Sequence, residues 1–255
     1  MNIIHFVSRI TVQKERNVRQ GFEAGNSHRS KGRPHKALVT REKIAKAALT
    51  IVGEEGYEKL TMARIARRLN VGTSALYNHL SGKDDLLALI EDAVMEQVEC
   101  SSLYAALEAT PTLSPRDALI RWATSYRDVC ARHVPLVRII ALTPISGAPR
   151  TVEMYEVLAR VLKLTGLPSS AIMPRIVALE SFIYGSAYDV HAPEDIFDLP
   201  VDSEARAPAL ADARGAFSPD ASMAESQDQR NPYADEPFRL GLEALLSDLP
   251  DEKNS

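Results

Sequence analysis

The chain is poor in several features, and each shortage removes a class of function. Cysteine occurs only twice in 255 residues, at Cys100 and Cys130. Two is too few for a disulfide framework and fits reduced, buried thiols in a cytoplasmic protein. No apolar run approaches the roughly 20 residues that span a bilayer. The short apolar patch at residues 3–7 falls below a signal-peptide core, and no small-residue cleavage site follows it. Catalytic signatures are missing as well: there is no phosphate loop, no His-Glu-x-x-His, no nucleophile elbow and no paired-Cys zinc motif. Gly185-Ser186-Ala187 lacks the second glycine of an elbow and falls inside an expected helix. These absences point away from an enzyme and call for no cofactor, no metal and no membrane.

What is present is a normal hydrophobic share, 45%, enough for a packed core, in a chain long enough for two domains. The net charge of −4 hides an asymmetry. Residues 1–83 hold 16 Lys and Arg against 6 Asp and Glu; residues 84–255 hold 14 against 28. A basic head on an acidic body suits a protein whose N-terminal end meets a polyanion. Residues 1–35 read as a disordered basic arm broken by Gly21, Gly25, Gly32 and Pro34. Lys31-Gly32-Arg33-Pro34 is suited to a minor groove or to loose phosphate contact.

From residue 36 the patterning is helical. Ile44, Ala47, Ala48, Ile51 and Val52 make one apolar stripe over an expected helix at 41–55, capped by Thr40 and closed by Gly56. Glu54 and Glu55 in its last turn oppose the helix dipole without an evident reason. A second helix starts from the cap Thr61 and buries Met62, Ile65, Ala66 and Leu69. Asn70 closes it, Gly72 is expected to make the sharp turn, and Thr73 is expected to cap a third helix over about 74–80. Leu76 and Leu80 anchor that short helix inward. A fourth helix begins after Ser81-Gly82, with Asp84 and Asp85 in its first turn. This is a helix-turn-helix layout, with a second helix short and polar enough for a DNA major groove.

The body, residues 99–255, shows no trustworthy strand alternation. Ser114-Pro115 opens a helix carrying Leu119, Trp122, Ala123, Tyr126 and Cys130 on one side. A short apolar piece covers 135–142. A further helix starts near Thr151 and ends at Gly166 and Pro168. Ser170 is expected to cap a long helix to about His191, with Pro174 in its first turn. Residues 192–231 read as a mobile loop with one helical turn near 207–213. A last helix over about 237–249 carries Phe238, Leu242, Leu245 and Leu249 as its stripe.

Residues 41–98 resemble the TetR family of bacterial transcription regulators. The resemblance rests on Ala47-Ala48-Leu49, Gly56-Tyr57, Leu60-Thr61-Met62-Ala63-Arg64-Ile65-Ala66, Leu69-Asn70-Val71-Gly72-Thr73-Ser74-Ala75-Leu76-Tyr77-Asn78-His79-Leu80 and Lys83-Asp84-Asp85-Leu86-Leu87. Phe238-Arg239-Leu240-Gly241-Leu242 with Leu245-Leu246 is similar to the final dimerisation helix of many members. The resemblance implies an all-α homodimer. Its N-terminal three-helix helix-turn-helix domain would occupy residues 36–98, joined to a C-terminal helical ligand-binding and dimerisation domain. A small-molecule effector bound in the body would release a near-palindromic operator, making the protein most naturally a repressor.

On that reading the DNA contacts fall to Thr61, Arg64, Thr73, Ser74, Ala75, Tyr77, Asn78, His79 and Lys83. Thr73, Ser74 and Asn78 suit base edges, and Ala75 suits a thymine methyl. Tyr77, His79 and Lys83 suit phosphates, with core packing the alternative for Tyr77 and helix capping for His79. Two recognition helices would lie roughly 34–36 Å or somewhat more apart. The expected dimer interface is a four-helix bundle using Ile176, Leu179, Ile183, Leu242, Leu245 and Leu246, with Gly185, Ser186 and Ala187 permitting close approach; intrachain core is the competing role. The expected ligand pocket draws on Trp122, Tyr126, Met154, Tyr155, Phe182, Tyr184 and Tyr188, which could equally be core. Two rival schemes keep the same DNA head: a thiol sensor using Cys100 and Cys130, or an activator or protein-binding body.

Overall fold

The computed structural model describes residues 39–200, 206–217, 231 and 233–249. The expected basic arm, 1–35, lies outside them, as does part of the segment read as a mobile loop. Among the described residues there are eleven α-helices, two single-turn 3-10 helices and no strand.

The head consists of α1 (Arg41–Glu55), α2 (Met62–Arg68) and α3 (Thr73–Tyr77), followed by α4 (Lys83–Met95). Helix α1 starts and stops where its sequence signals lie. The Thr40 hydroxyl accepts from the Lys43 N–H at 3.3 Å, and Gly56 ends the helix at φ 89°. Such a φ favours glycine because it lacks a Cβ. Thr61 caps α2 by accepting from the Arg64 N–H at 3.2 Å. The end of α2 is a two-bond left-handed cap. Asn70, at φ 53°, donates its N–H to the Arg67 carbonyl, and Val71 donates to Ala66.

Two expectations about this turn need correction. Gly72 sits at φ −74°, ψ 149°, extended backbone that any residue adopts. The chain reverses at Asn70 and not at Gly72. Helix α3 also begins at Thr73, one residue early, and ends at Tyr77. Gly72 therefore occupies the cap position without a side-chain bond, and Thr73 does not cap. The residues to Leu80 finish as a tight turn, with the His79 and Leu80 N–H groups both donating to the Leu76 carbonyl.

The body contains α5 (Ser101–Ala106), α6 (Pro115–Arg132), α7 (Val134–Ile140), α8 (Pro149–Leu164), α9 (Ser169–Asp189), α10 (Pro208–Ala216) and α11 (Asp235–Leu245). Ser114 caps α6 by accepting from the Asp117 N–H at 3.0 Å. Helix α9 begins at Ser169 after Pro168 with no side-chain cap, so Ser170 does not serve as one, and Pro174 falls in the second turn. Helix α10 runs nine residues where a single turn was expected.

One hydrophobic cluster runs from Ile44 to Leu249. Helix α6 lies deep within it, with Leu119, Trp122, Ala123 and Tyr126 fully buried. Helix α4 joins the head to this core. Its Ile90 and Val94 are buried, and its Asp92 carboxylate accepts from the Arg150 and Thr151 N–H groups at 2.8 and 3.0 Å. A residue of α4 thus caps the N-terminus of α8. The turn before α8 packs as closely: a Cβ on Gly147 would lie 2.9 Å from the Ala88 Cβ.

Candidate nucleic-acid interface and effector cluster

The short helix α3 buries Leu76 and turns its other residues outward. Thr73, Ser74, Tyr77 and Asn78 are exposed, Ala75 and His79 partly so, and Lys83 at the start of α4 is exposed. Tyr77 is 57% exposed, which leaves little of the packing role that was its alternative. Thr61 is exposed and Arg64 partly buried on α2. The face therefore offers small hydroxyl and amide groups at its centre, with a phenol and an ammonium at its edge.

Three ion pairs hold that face, and periodicity alone did not reveal them. Arg41 donates to the His79 carbonyl at 2.6 Å and to Asp85 at 2.8 Å. The end of α3 is thereby tied to the starts of α1 and α4. The Arg41 guanidinium holds the Asp85 carboxyl below the usual range, aided by the Ser81 N–H. His79 joins this tie through its carbonyl, and the C-cap position of α3 is held by Asn78. Glu54 and Glu55 now have an account. Glu54 pairs with Arg68 through two bonds at 2.7 and 3.0 Å, and Glu55 holds Arg64 through a two-pronged contact. The acids at the end of α1 orient the arginines of α2, and Arg64 must leave or share Glu55 to reach a base.

In the body, the seven expected pocket residues do not form one group. Phe182 stacks on Phe238 of α11, with ring centroids 5.4 Å apart and planes 4° apart, and Arg127 lies 4.4 Å over Phe238. Tyr188 is exposed on the outer side of α9, and Met154 is buried on α8. Neither Phe182 nor Tyr188 joins the remaining aromatics. Tyr126, Tyr155 and Tyr184 converge instead on Glu180, a residue not singled out from the sequence. The hydroxyls of Tyr126 and Tyr184 donate to its Oε1 at 3.1 and 3.0 Å, Tyr155 does the same, and the Tyr126 and Tyr184 hydroxyls lie 2.9 Å apart. Trp122 meets Tyr126 edge-on at 5.6 Å. Glu91 of α4 is only 3% exposed, and burial, with Asp92 and Glu180 nearby, pushes its carboxyl up to about 7. A charged residue amid otherwise apolar stretches was the available signal for both acids.

The expected interface side chains need the plainest correction. Ile176, Leu179, Ile183, Leu242 and Leu246 are buried within their own chain, Leu245 is partly buried, and Ser186 and Ala187 are buried too. They are intrachain core between α6, α9 and α11. The apolar side chains left outward on these helices are Met173, Val177, Tyr188 and Leu240, each about half exposed, beside the exposed Gly185. Burial pushes the Cys100 thiol up to about 11 and the Cys130 thiol up to about 12. Thiols held protonated at neutral pH make poor redox switches.

Comparison with known proteins bears on this geometry. Residues 44–90 match the profile of the bacterial regulatory proteins of the tetR family, and residues 109–251 match the tetracyclin repressor-like C-terminal domain. An HTH-type transcriptional regulator of Saccharopolyspora erythraea is 29% identical over 151 residues, 59% of this chain and 61% of that protein. The HTH-type transcriptional repressor DrrR1 of Streptomyces coeruleorubidus is 30% identical over 165 residues, 62% of this chain and 56% of that protein. The chain thus spans less than two thirds of the length of these relatives. The structure of the Streptomyces coelicolor TetR family protein ActR in complex with (S)-DNPA has TM-score 0.58 and 25% identity, covering 83% of this chain and 96% of that one.

Proposed function

Since this chain belongs to the TetR family of bacterial regulatory proteins, we propose that it is a dimeric, sequence-specific DNA-binding regulator, a repressor released from its operator by a small molecule. The observation that carries the reading is the α3 face: Thr73, Ser74, Tyr77 and Asn78 are exposed together on a helix anchored by the buried Leu76. A helix of five residues rises roughly 8 Å, enough to present one face to a few base pairs. Thr73, Ser74, Ala75 and Asn78 read base edges, and Thr61, Tyr77, His79 and Lys83 contact the backbone. Arg64 reaches a base when it leaves Glu55. Residues 36–98 form the DNA-binding domain and residues 99–255 the regulatory domain.

The outward stripe Met173, Val177 and Tyr188 on α9 with Leu240 on α11 supports pairing of two subunits through this face. A second copy covering this stripe places two heads on one near-palindromic site. The repressor DrrR1 supports the sign of regulation, and ActR, bound to a small organic molecule, supports an effector. Neither exported nor catalytic roles are needed, and no described helix is long and apolar enough to cross a membrane. The test is a gel shift on the DNA flanking the protein's own gene. Wild type should bind selectively at moderate salt. Lys83→Ala should weaken binding uniformly across sites and reduce the salt slope by about 0.9 if one phosphate contact is lost. Its helical circular dichroism should be unchanged. Absence of selective binding by wild type refutes the reading.

A further inference from the structure

The cluster around Glu180 says something about the effector's chemistry, on the premise that the body is effector-responsive. We propose that this effector is an organic cation on a flat aromatic frame, held between Glu91, Glu180 and the rings of Trp122, Tyr126, Tyr155 and Tyr184.

The argument begins with Glu180. Three phenol hydroxyls end on one of its carboxylate oxygens. All three acceptor bonds fall on that single oxygen, so an acid side chain gathers the polar ends of three aromatic rings inside the body. Glu91 of α4 acts electrostatically on two members of this cluster, Glu180 and Tyr155. Its Oε2 is buried and has no hydrogen-bond partner among the described residues. Of the groups that act on its carboxyl, burial comes first, then Asp92 on its own helix and Glu180 from α9. Tyr155 of α8 also feels Glu91, and Tyr126 and Tyr184 feel the Cys130 thiol of α6. The neighbours that shift these groups most are acids, phenols and a thiol.

Such a site disfavours an anion, which would meet two acidic side chains in a low-dielectric interior. A cation answers each feature. It pairs with the unpartnered oxygen of Glu91, relieves the repulsion between Glu91 and Glu180, and meets the negative faces of the aromatic rings. Trp122 Nε1, fully buried and also without an acceptor among the described residues, selects a ligand that carries an acceptor atom as well. Entry of the cation favours ionised Glu91, so below neutral pH binding must expel the proton that Glu91 holds.

The experiment uses the full chain, without DNA, and two probes on one ring system: 9-aminoacridine, a cation at neutral pH, and acridine-9-carboxylate, an anion. Isothermal titration should show the cation binding at least about tenfold more tightly than the anion, a factor equivalent to roughly 1.4 kcal/mol. At pH 6, titrations in buffers of different ionisation heat should reveal close to one proton released per bound cation. Glu91→Gln should abolish that release, and Glu180→Gln should weaken the cation at least about tenfold. Trp122, the chain's one tryptophan, gives an independent reading, its fluorescence quenched by the bound cation. Equal or tighter binding of the anion, binding of neither probe, or cation affinity and proton release unchanged in both variants would each overturn the inference. The wild-type comparison needs no variant to fold. Loss of this inference alone leaves operator binding intact, whereas failure of the regulator reading appears as loss of selective DNA binding.

Discussion

Replacing Asp92 by alanine removes the tie between the helix that carries the head and the start of α8. One carboxylate oxygen, Oδ1, accepts from the Arg150 and Thr151 N–H groups at 2.8 and 3.0 Å, with the Thr151 hydroxyl at 3.4 Å. Losing an N-terminal cap costs about 0.5–2 kcal/mol. Losing a negative charge at that end costs about 0.3–1 kcal/mol more. Thr151 is fully buried, so water cannot readily replace the lost acceptor, and an unsatisfied buried donor costs about 1–3 kcal/mol. The first and third of these overlap. Asp92→Ala should therefore lose about 2–3 kcal/mol. Asp92→Asn, which keeps an acceptor oxygen but not the charge, should lose about 1 kcal/mol. Urea unfolding followed by helical circular dichroism measures both. Alanine within about 0.5 kcal/mol of wild type would show that α8 does not need this cap. Asparagine as harmful as alanine would show that charge, and not the acceptor, carries the bond.

Three further outcomes are expected. Gly241→Ala sets two effects against each other: alanine favours the α11 helix by about 1 kcal/mol, but its Cβ would lie 2.4 Å from Cζ of Phe182. That ring is stacked on Phe238, and overpacking costs about 1–3 kcal/mol, so the variant should lower the melting temperature and a Phe182→Leu second change should recover part of it. Val177→Glu on the outward stripe of α9 should give a folded monomer by sedimentation, because Val177 is 54% exposed in the single chain; an unchanged dimer would move the interface elsewhere. Glu91 makes stability pH-dependent with a definite sign. Its carboxyl rises from the ordinary 4.5 to about 7 in the folded protein, so its contribution is complete below about 4.5 and is lost as pH rises through 7. The span is worth about 3 kcal/mol, and Glu91→Gln should flatten that slope in unfolding measured from pH 4 to 8.

The head was legible because its signals are local. Thr40 and Thr61 cap the helices they precede, as Ser114 does in the body, and the apolar stripe of α1 is buried as its spacing implies. The turn was legible only in part. Asn70 and Gly72 both qualify for a left-handed residue, and choosing between them requires the backbone, which uses Asn70. Helix α9 shows a deeper limit. Apolar residues lie on several of its sides, so periodicity cannot separate the side facing α6 from the side left outward. Ile176, Leu179 and Ile183 went to the chain's own core, and Met173 and Val177 were left outward. Glu180 was passed over because a charged residue on a helix usually reaches solvent. Its place four residues before Tyr184, in a run without another acid until Asp189, was the available sign.

On the proposed reading, the two acids of α4 would link charge in the body to the head. Consecutive residues of a helix point about 100° apart. Glu91 therefore points away from the direction in which Asp92 meets the start of α8, and it acts electrostatically on Glu180 and Tyr155. The same helix begins at Lys83, on the proposed DNA side, and its Asp85 holds Arg41, which in turn holds the carbonyl of His79 at the end of α3. From Asp85 to Glu91 the rise is about 9 Å of continuous helix. On the proposed reading, a cation seated against Glu91 would act on a rigid element whose other end orients the proposed recognition helix. The coupling needs no long relay of side chains, only two resting positions of α4 that differ in how well Glu91 meets the ligand and Asp92 meets α8.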